Sequence, residues 1–343
     1  MERLLITLIL VCTMNNITNA QNPFYGQYHT PHEAVPFDRI ETEHYEPAIL
    51  EGIKLQNAEI EAIIQNPEKA DFTNTIEAFE ESGKLLDKVV AVFGNMLSAE
   101  TNDDLQELAQ KIMPLLSEHS NNITLNEKLF ARVKEVYNQK ETLQLTQEQK
   151  QLLENAYNSF IRHGANLEGE AREEYRRLTT ELSKLTLTFS ENNLKETNAY
   201  QMLLTKKESL AGLPEIITEA AAETAKSEGK EGWAFTLHAP SYIPFMTYSD
   251  NRDLRQKLYM AYNTKCTHDN EFNNIDIVKK IANTRMKIAQ LLGYKDYAEY
   301  TLKKRMAENS KSVYKLLNQL LEAYTPTAQL SLIHISEPTR LGM

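Results

Sequence analysis

Apolar residues in this chain return every three or four positions in block after block, the period of an amphipathic helix rather than the alternation of a half-buried strand. Ile49, Ile53, Ile60 and Ile64 mark one block, ended by Asn66-Pro67, since the residue before a proline is steered out of helical geometry. Ile76, Phe79, Gly83, Leu86, Val90, Phe93 and Leu97 mark a second, which reads as one long helix with Gly83 and Gly94 at close helix contacts. Leu105, Leu108, Ile112 and Leu116 follow, capped by Thr101 or Asn102 and kinked at Pro114. Thr146 and Gln149 form a capping box ahead of Leu152, Leu153, Ala156, Tyr157, Phe160 and Ile161, and His163-Gly164 closes that helix. A long helix is predicted from about Glu170 to Lys195 on Tyr175, Leu178, Leu182, Leu185 and Phe189. The LTLTF string inside it alternates like a strand, but the longer period wins.

The character changes at Ala199. AYQMLLTKKESLAGLP reads as a strand and turn, PEIITEAAAETAKSEG as a helix, and GWAFTLHAPSYIPFMTYS as extended chain interrupted by Pro240 and Pro244. A small antiparallel β element of two or three strands is therefore expected around residues 199–248, followed by a helix over NRDLRQKLYMAY. From Ile275 to Tyr324 three helices are joined by very short turns. Gly293 ends the first, Asp296 with Glu299 opens the second, and Asn309 or Ser310 caps the third. Val313, Leu316, Leu317, Leu320, Leu321 and Tyr324 form one stripe on that third helix, and Pro326 is expected to stop it. The fold class predicted is mainly α, a multi-helical lobe of long amphipathic helices with one small β element.

Composition narrows the function. At 41% apolar and 25% charged, the chain has the balance of a folded soluble protein, which argues against extensive disorder. A formal charge of −11 is the wrong sign for binding a phosphate backbone, so a nucleic-acid partner is not expected. Residues 1–20 combine Arg3, a short apolar run from Leu4 to Cys12 and small residues before Ala20. They read as a signal peptide for export, with a periplasmic destination and no membrane anchor after cleavage; a lipid-bearing Cys12 is the alternative.

Each candidate for chemistry meets a plainer reading. His32-Glu33 is the single His-Glu pair, but position 36 is proline, so the second histidine of a zinc-binding helix is missing. Glu77, Glu80 and Glu81 read as a solvated helix face, His163 as a helix terminus, and Cys266 as a small core residue. Lys226 and Ser227 are adjacent on a helix and point apart, which disqualifies a Ser/Lys dyad. Asn122-Ile123-Thr124 is a bare glycosylation sequon. His238 beside Tyr242 could border a peptide-contacting cleft, with a polar strand residue as the default. No catalytic, metal-ligating or substrate-binding residue is assigned.

Several blocks resemble one family. PFDRIETEHYEPAI, FTNTIEAFEESGKLLDKVVAVFGNMLSAETND, LTTELSKLTLTFSENNL and TRMKIAQLLGYKDYAEYTLKKRMAENSKSVYKLLNQLL are similar to the thimet-oligopeptidase-like (M3) zinc peptidases, and nearest to the peptidyl-dipeptidase type. The resemblance runs from Asn22 to about Gln329. It implies an enzyme that binds zinc through H-E-x-x-H and releases dipeptides from the C-termini of short peptides. That motif is absent here, so the expectation is an N-terminal lobe (residues 21–329) that binds no zinc and is inactive alone. Residues 330–343 are expected to be a non-native tail, because SLIHISEPTR resembles a translated sequencing adapter; His334 and Glu337 in it are then accidental neighbours. The alternative is a complete exported helical binding or scaffold protein.

Overall fold

The computed structural model describes residues 22–336, so the leader at 1–20, Cys12 and Glu337 lie outside the described residues. Six long helices come first among the described residues: α1 (Tyr45–Gln65), α2 (Lys84–Ala99), α3 (Asp103–Thr124), α4 (Glu127–Asn138), α5 (Gln147–Arg162) and α6 (Gly169–Ala199). Strand β1 (Gln201–Leu204) pairs antiparallel with β2 (Trp233–Thr236), Gln201 facing Thr236 and Leu204 facing Trp233, and α7 (Glu215–Ser227) lies between them in sequence. Then come α8 (Ala239–Tyr248), α9 (Arg252–Asn263), α10 (Ile275–Leu291), α11 (Tyr297–Leu302) and α12 (Ser310–Ser336). The mainly-α lobe with one small antiparallel element is what the hydrophobic period predicts.

Local chemistry fixes the helix starts. Asn102 Oδ1 accepts from the Leu105 amide at 2.8 Å, and Thr146 with Gln149 closes its box at 3.3 and 3.0 Å. Asp296 Oδ1 accepts from the Glu299 amide at 2.8 Å, while the Glu299 carboxylate reaches one residue further back, to the Lys295 amide at 3.0 Å. Each such cap satisfies amides that the helix itself leaves without partners.

Apolar side chains gather in four buried clusters. Phe24, Tyr45, Ile49, Val89, Phe93, Leu105 and Ile112 join the N-terminal arm to α1, α2 and α3. Ile63, Phe72, Ile76, Leu129, Val133, Leu153 and Phe160 join α1 to α4 and α5. Met202, Leu204, Phe235, Phe245 and Leu258 bind the β pair to α8 and α9, with Phe235 and Phe245 meeting edge to face at 4.6 Å. Tyr175, Leu178 and Ile288 hold α6 to α10. The arm before α1 lies against the body as expected: Lys88 donates to the Gly26 carbonyl at 2.8 Å and sits 3.9 Å over the Tyr28 ring.

Four local expectations are corrected. The block from Ile76 to Leu97 is not one helix. A π-helical turn at Phe72–Glu77 leads into Ala78–Glu80, and the chain breaks at Gly83, whose φ of +79 is left-handed, before α2 begins. Of the two glycines expected at close helix contacts, Gly83 is at one, since a Cβ there would meet the Gln56 side chain of α1, whereas one on Gly94 would meet nothing within 4 Å; the close backbone approach is at Gly52, where a Cβ would come within 2.9 Å of the Leu86 Cα. Ala239–Tyr248 is helical rather than extended. Pro240 falls in its first turn, where no amide is needed, and buried Phe245 secures the helix despite Pro244. Finally, Pro326 does not stop α12, which runs through it to Ser336.

Candidate functional site

The densest polar constellation among the described residues lies where the C-terminal half of α6 meets the loop between α9 and α10. Phe189, Asn192 and Glu196 recur at three- and four-residue steps, so they share one face of α6. Asn274 Nδ2 donates to the Phe189 carbonyl at 2.9 Å, and Asn192 Nδ2 donates to Asn274 Oδ1 at 3.0 Å. Lys265 Nζ donates to Thr197 Oγ1 at 3.1 Å.

Glu196 is the centre of the cluster. Its side chain is 12% exposed, and it accepts from His268 Nδ1 at 2.8 Å, from Asn270 Nδ2 at 3.5 Å and from the backbone amide of Cys266. An acceptor-only carboxylate places the proton on Nδ1 of His268; Nε2 lies 3.2 Å from Thr264 Oγ1. Burial acts to raise the Glu196 pKa. The donors from His268, Cys266 and Asn270 outweigh it and hold the carboxyl below its ordinary range. Cys266 takes a left-handed φ of +59, uncommon for a residue with a side chain, and its carbonyl accepts from the Asn274 amide at 2.8 Å. Its thiol is buried, and burial with the adjacent Glu196 carboxylate pushes it up to about 11.

Beside this cluster is a recess of about 410 Å³ bordered by Glu196, Tyr200, Leu237, Met260, Thr264 and His268. The Tyr200 hydroxyl is buried there without a hydrogen-bond partner. A thiol at about 11 stays protonated at neutral pH, and His268 is engaged by Glu196. The trio therefore lacks an activated nucleophile and is built to fasten the loop. Cys266 is buried, as its reading as a small core residue implies, but the constellation around it has no signature in the sequence. Cys266 and His268 are two apart in the loop, but Glu196 lies about seventy residues upstream, and no local pattern links them.

The other candidates stay apart. His238 caps α8 through its carbonyl, which accepts from Ser241 and Tyr242 amides at 2.9 and 2.8 Å, while its side chain is exposed. Tyr242 stacks on Tyr262 at 4.1 Å. Ser227 Oγ donates to the Thr224 carbonyl at 2.8 Å and has no lysine partner. His163 closes α5, its Nδ1 2.8 Å from the Ser159 carbonyl. Glu33 accepts from the Tyr28 amide at 3.0 Å while His32 is exposed, and Glu81 pairs with Lys84. Among the described residues no group of three His, Cys, Asp or Glu side chains could hold a metal ion. No helix among them is long and apolar enough to cross a membrane.

Residues 245–339 match the model of Peptidase family M3, from the end of α8 through α12. Similarity to curated members extends this over most of the chain, which belongs to peptidase family M3. It is 34% identical over 303 residues to the dipeptidyl carboxypeptidase of Escherichia coli, covering 88% of this chain and 44% of that protein. It is 32% identical over 301 residues to oligopeptidase A of Haemophilus influenzae, covering 87% of this chain and 44% of that protein. A thimet-like oligopeptidase of Dictyostelium discoideum is 25% identical over 291 residues, 83% of this chain and 42% of the relative. The chain thus spans less than half the length of the curated relatives it matches.

Proposed function

We propose that this chain is the N-terminal, helical part of an exported M3-type zinc peptidase that releases C-terminal dipeptides from short peptides. The observation that carries the reading is similarity over 88% of the chain to a dipeptidyl carboxypeptidase more than twice the matched length. The oligopeptidase A of Haemophilus influenzae, at 32% identity, supports the broader class of short-peptide hydrolase equally well.

The zinc that the family implies is not accommodated by the residues described. The sequence carries no H-E-x-x-H, and no donor set of three converges among the described residues. No catalytic step is therefore assigned to this chain. Its helices supply a rigid wall, and the 343-residue polypeptide alone hydrolyses nothing. Incubating the purified protein with zinc and an N-blocked tetrapeptide, read by mass spectrometry, is expected to leave the peptide intact. Release of a dipeptide that EDTA abolishes would overturn this. Sequencing the N-terminus of the mature protein from a cell envelope fraction tests export, since a chain still starting at Met1 in the cytosol contradicts it.

A further inference from the structure

Residues 200–263 pack as a body of their own. The β pair with α7, α8 and α9 closes around Met202, Leu204, Phe235, Phe245 and Leu258, and the half-buried side chains that cover this core, from Tyr200 to Ala261, come from the same stretch. Among the described residues, the hydrogen bonds, ion pairs and ring contacts of 200–263 stay inside it or reach only the loop 264–274 that follows. Asp250 meets Ala211, Lys230 meets Glu228 and Tyr242 stacks on Tyr262, while Met260 and Tyr262 touch Thr264 and Lys265 of the loop. The two chain connections of this body, Ala199–Tyr200 and the loop, lie side by side. Glu196 accepts from the Cys266 amide, and Lys265 reaches Thr197 at 3.1 Å. Two adjacent connections to a separately packed body are the anatomy of a hinge.

We infer that residues 200–263 swing as a rigid flap about this double connection, and that Glu196 is the latch that holds the flap in the observed arrangement. Glu196 gathers His268, Asn270 and the Cys266 amide, while Asn274 ties the far end of the loop to Asn192 and Phe189. These bonds fasten the loop to α6 and, through the loop, the flap. Opposing costs fall at the same seam. Tyr200 Oη and Gln201 Nε2, on the first two residues of the flap, are buried without partners, and Cys266 holds a left-handed φ of +59 in the loop. A buried polar group without a partner raises the energy of the arrangement that strands it, so a rotation that wets both groups recovers part of what a broken latch gives up. The swing also has room: the recess of about 410 Å³ parts Glu196 and His268 from Leu237, Met260 and Ala261 of the flap. The inference rests on the packing of this polypeptide and stands independently of the peptidase reading.

Double electron–electron resonance on the full chain is the test, with spin labels carried on p-acetylphenylalanine so that Cys266 is left unmodified. One pair spans the hinge, at exposed positions 135 on α4 and 219 on α7; a control pair, at exposed positions 135 and 280, stays within the body. A rotation of about 15° moves a point about 20 Å from the axis by about 5 Å. The wild type is expected to give one narrow distance for each pair. Glu196→Ala should spread the 135–219 distance by about that amount and leave the 135–280 distance unchanged. Glu196→Gln, which keeps the side chain's volume and one acceptor oxygen, should spread it less and remains informative if alanine unfolds the chain. Amides of β1 and β2 should exchange at wild-type rates in both variants, because the flap turns without melting. A 135–219 distance that stays narrow in both variants overturns the inference. So does a wild type already as broad, or faster exchange across the β pair, which marks local unfolding instead of a swing.

Discussion

Replacing Glu196 by alanine should release the loop between α9 and α10 while leaving the remote helical clusters intact. The carboxylate accepts from the Cys266 amide, from His268 and from Asn270, and a hydrogen bond to a charged group is worth about 1.5–3 kcal/mol. Alanine also strands the Cys266 amide in a position where its side chain is buried. Because Glu196 is only 12% exposed, solvent screening does not erase these contributions, and the total loss is put at about 2–4 kcal/mol. If the loop opens locally, that converts to exchange of its amides roughly 30-fold to several-hundred-fold faster. Hydrogen exchange read by mass spectrometry should therefore accelerate over residues 264–274, and not in α5. Glutamine, which keeps one acceptor oxygen, should fall between wild type and alanine. The pH dependence has a definite sign. The folded Glu196 pKa is depressed, so its contribution is fully present above the unfolded value of about 4.3 and is lost as pH falls through the lower folded value. Unchanged exchange over 264–274 in Glu196→Ala, or loop opening as pH rises from 5 to 7, would refute the reasoning.

Other substitutions probe different contacts. Gly52→Ala pushes a methyl to 2.9 Å from the Leu86 backbone and should cost about 1–3 kcal/mol in urea denaturation, by forcing α1 away from α2. Asn102→Ala removes the Leu105 amide's acceptor and should cost about 1 kcal/mol, with faster exchange at the start of α3. Cys266, buried and protonated, should resist iodoacetamide at pH 8 in the folded protein and react fully in 6 M guanidinium, as read by peptide mapping.

Helix caps were the most legible part of the sequence, because Asn102, Thr146 and Asp296 act on amides three residues away. Tertiary packing defeated local reading elsewhere. Two prolines argue against a helix at Ala239–Tyr248, yet Phe245, fully buried against Phe235, holds one. Gly83 reads as one more helical position until its left-handed φ is seen to end the preceding turn. Pro326 is exposed on α12, which continues past it to Ser336. The Glu196 cluster joins segments about seventy residues apart, and hydrophobic periodicity carries no record of which polar groups will meet.

The longest element of the body has a mechanical consequence. Helix α6, about 46 Å from end to end, brings Leu187 to the cluster around Phe93, Tyr175 to the one with α10, and leads through Tyr200 into the β pair. It therefore works as a strut shared by three otherwise separate cores, and whatever cooperativity the lobe has is transmitted along it. A proline at solvent-facing Ser190 would saw that strut in two, turning one calorimetric transition into two.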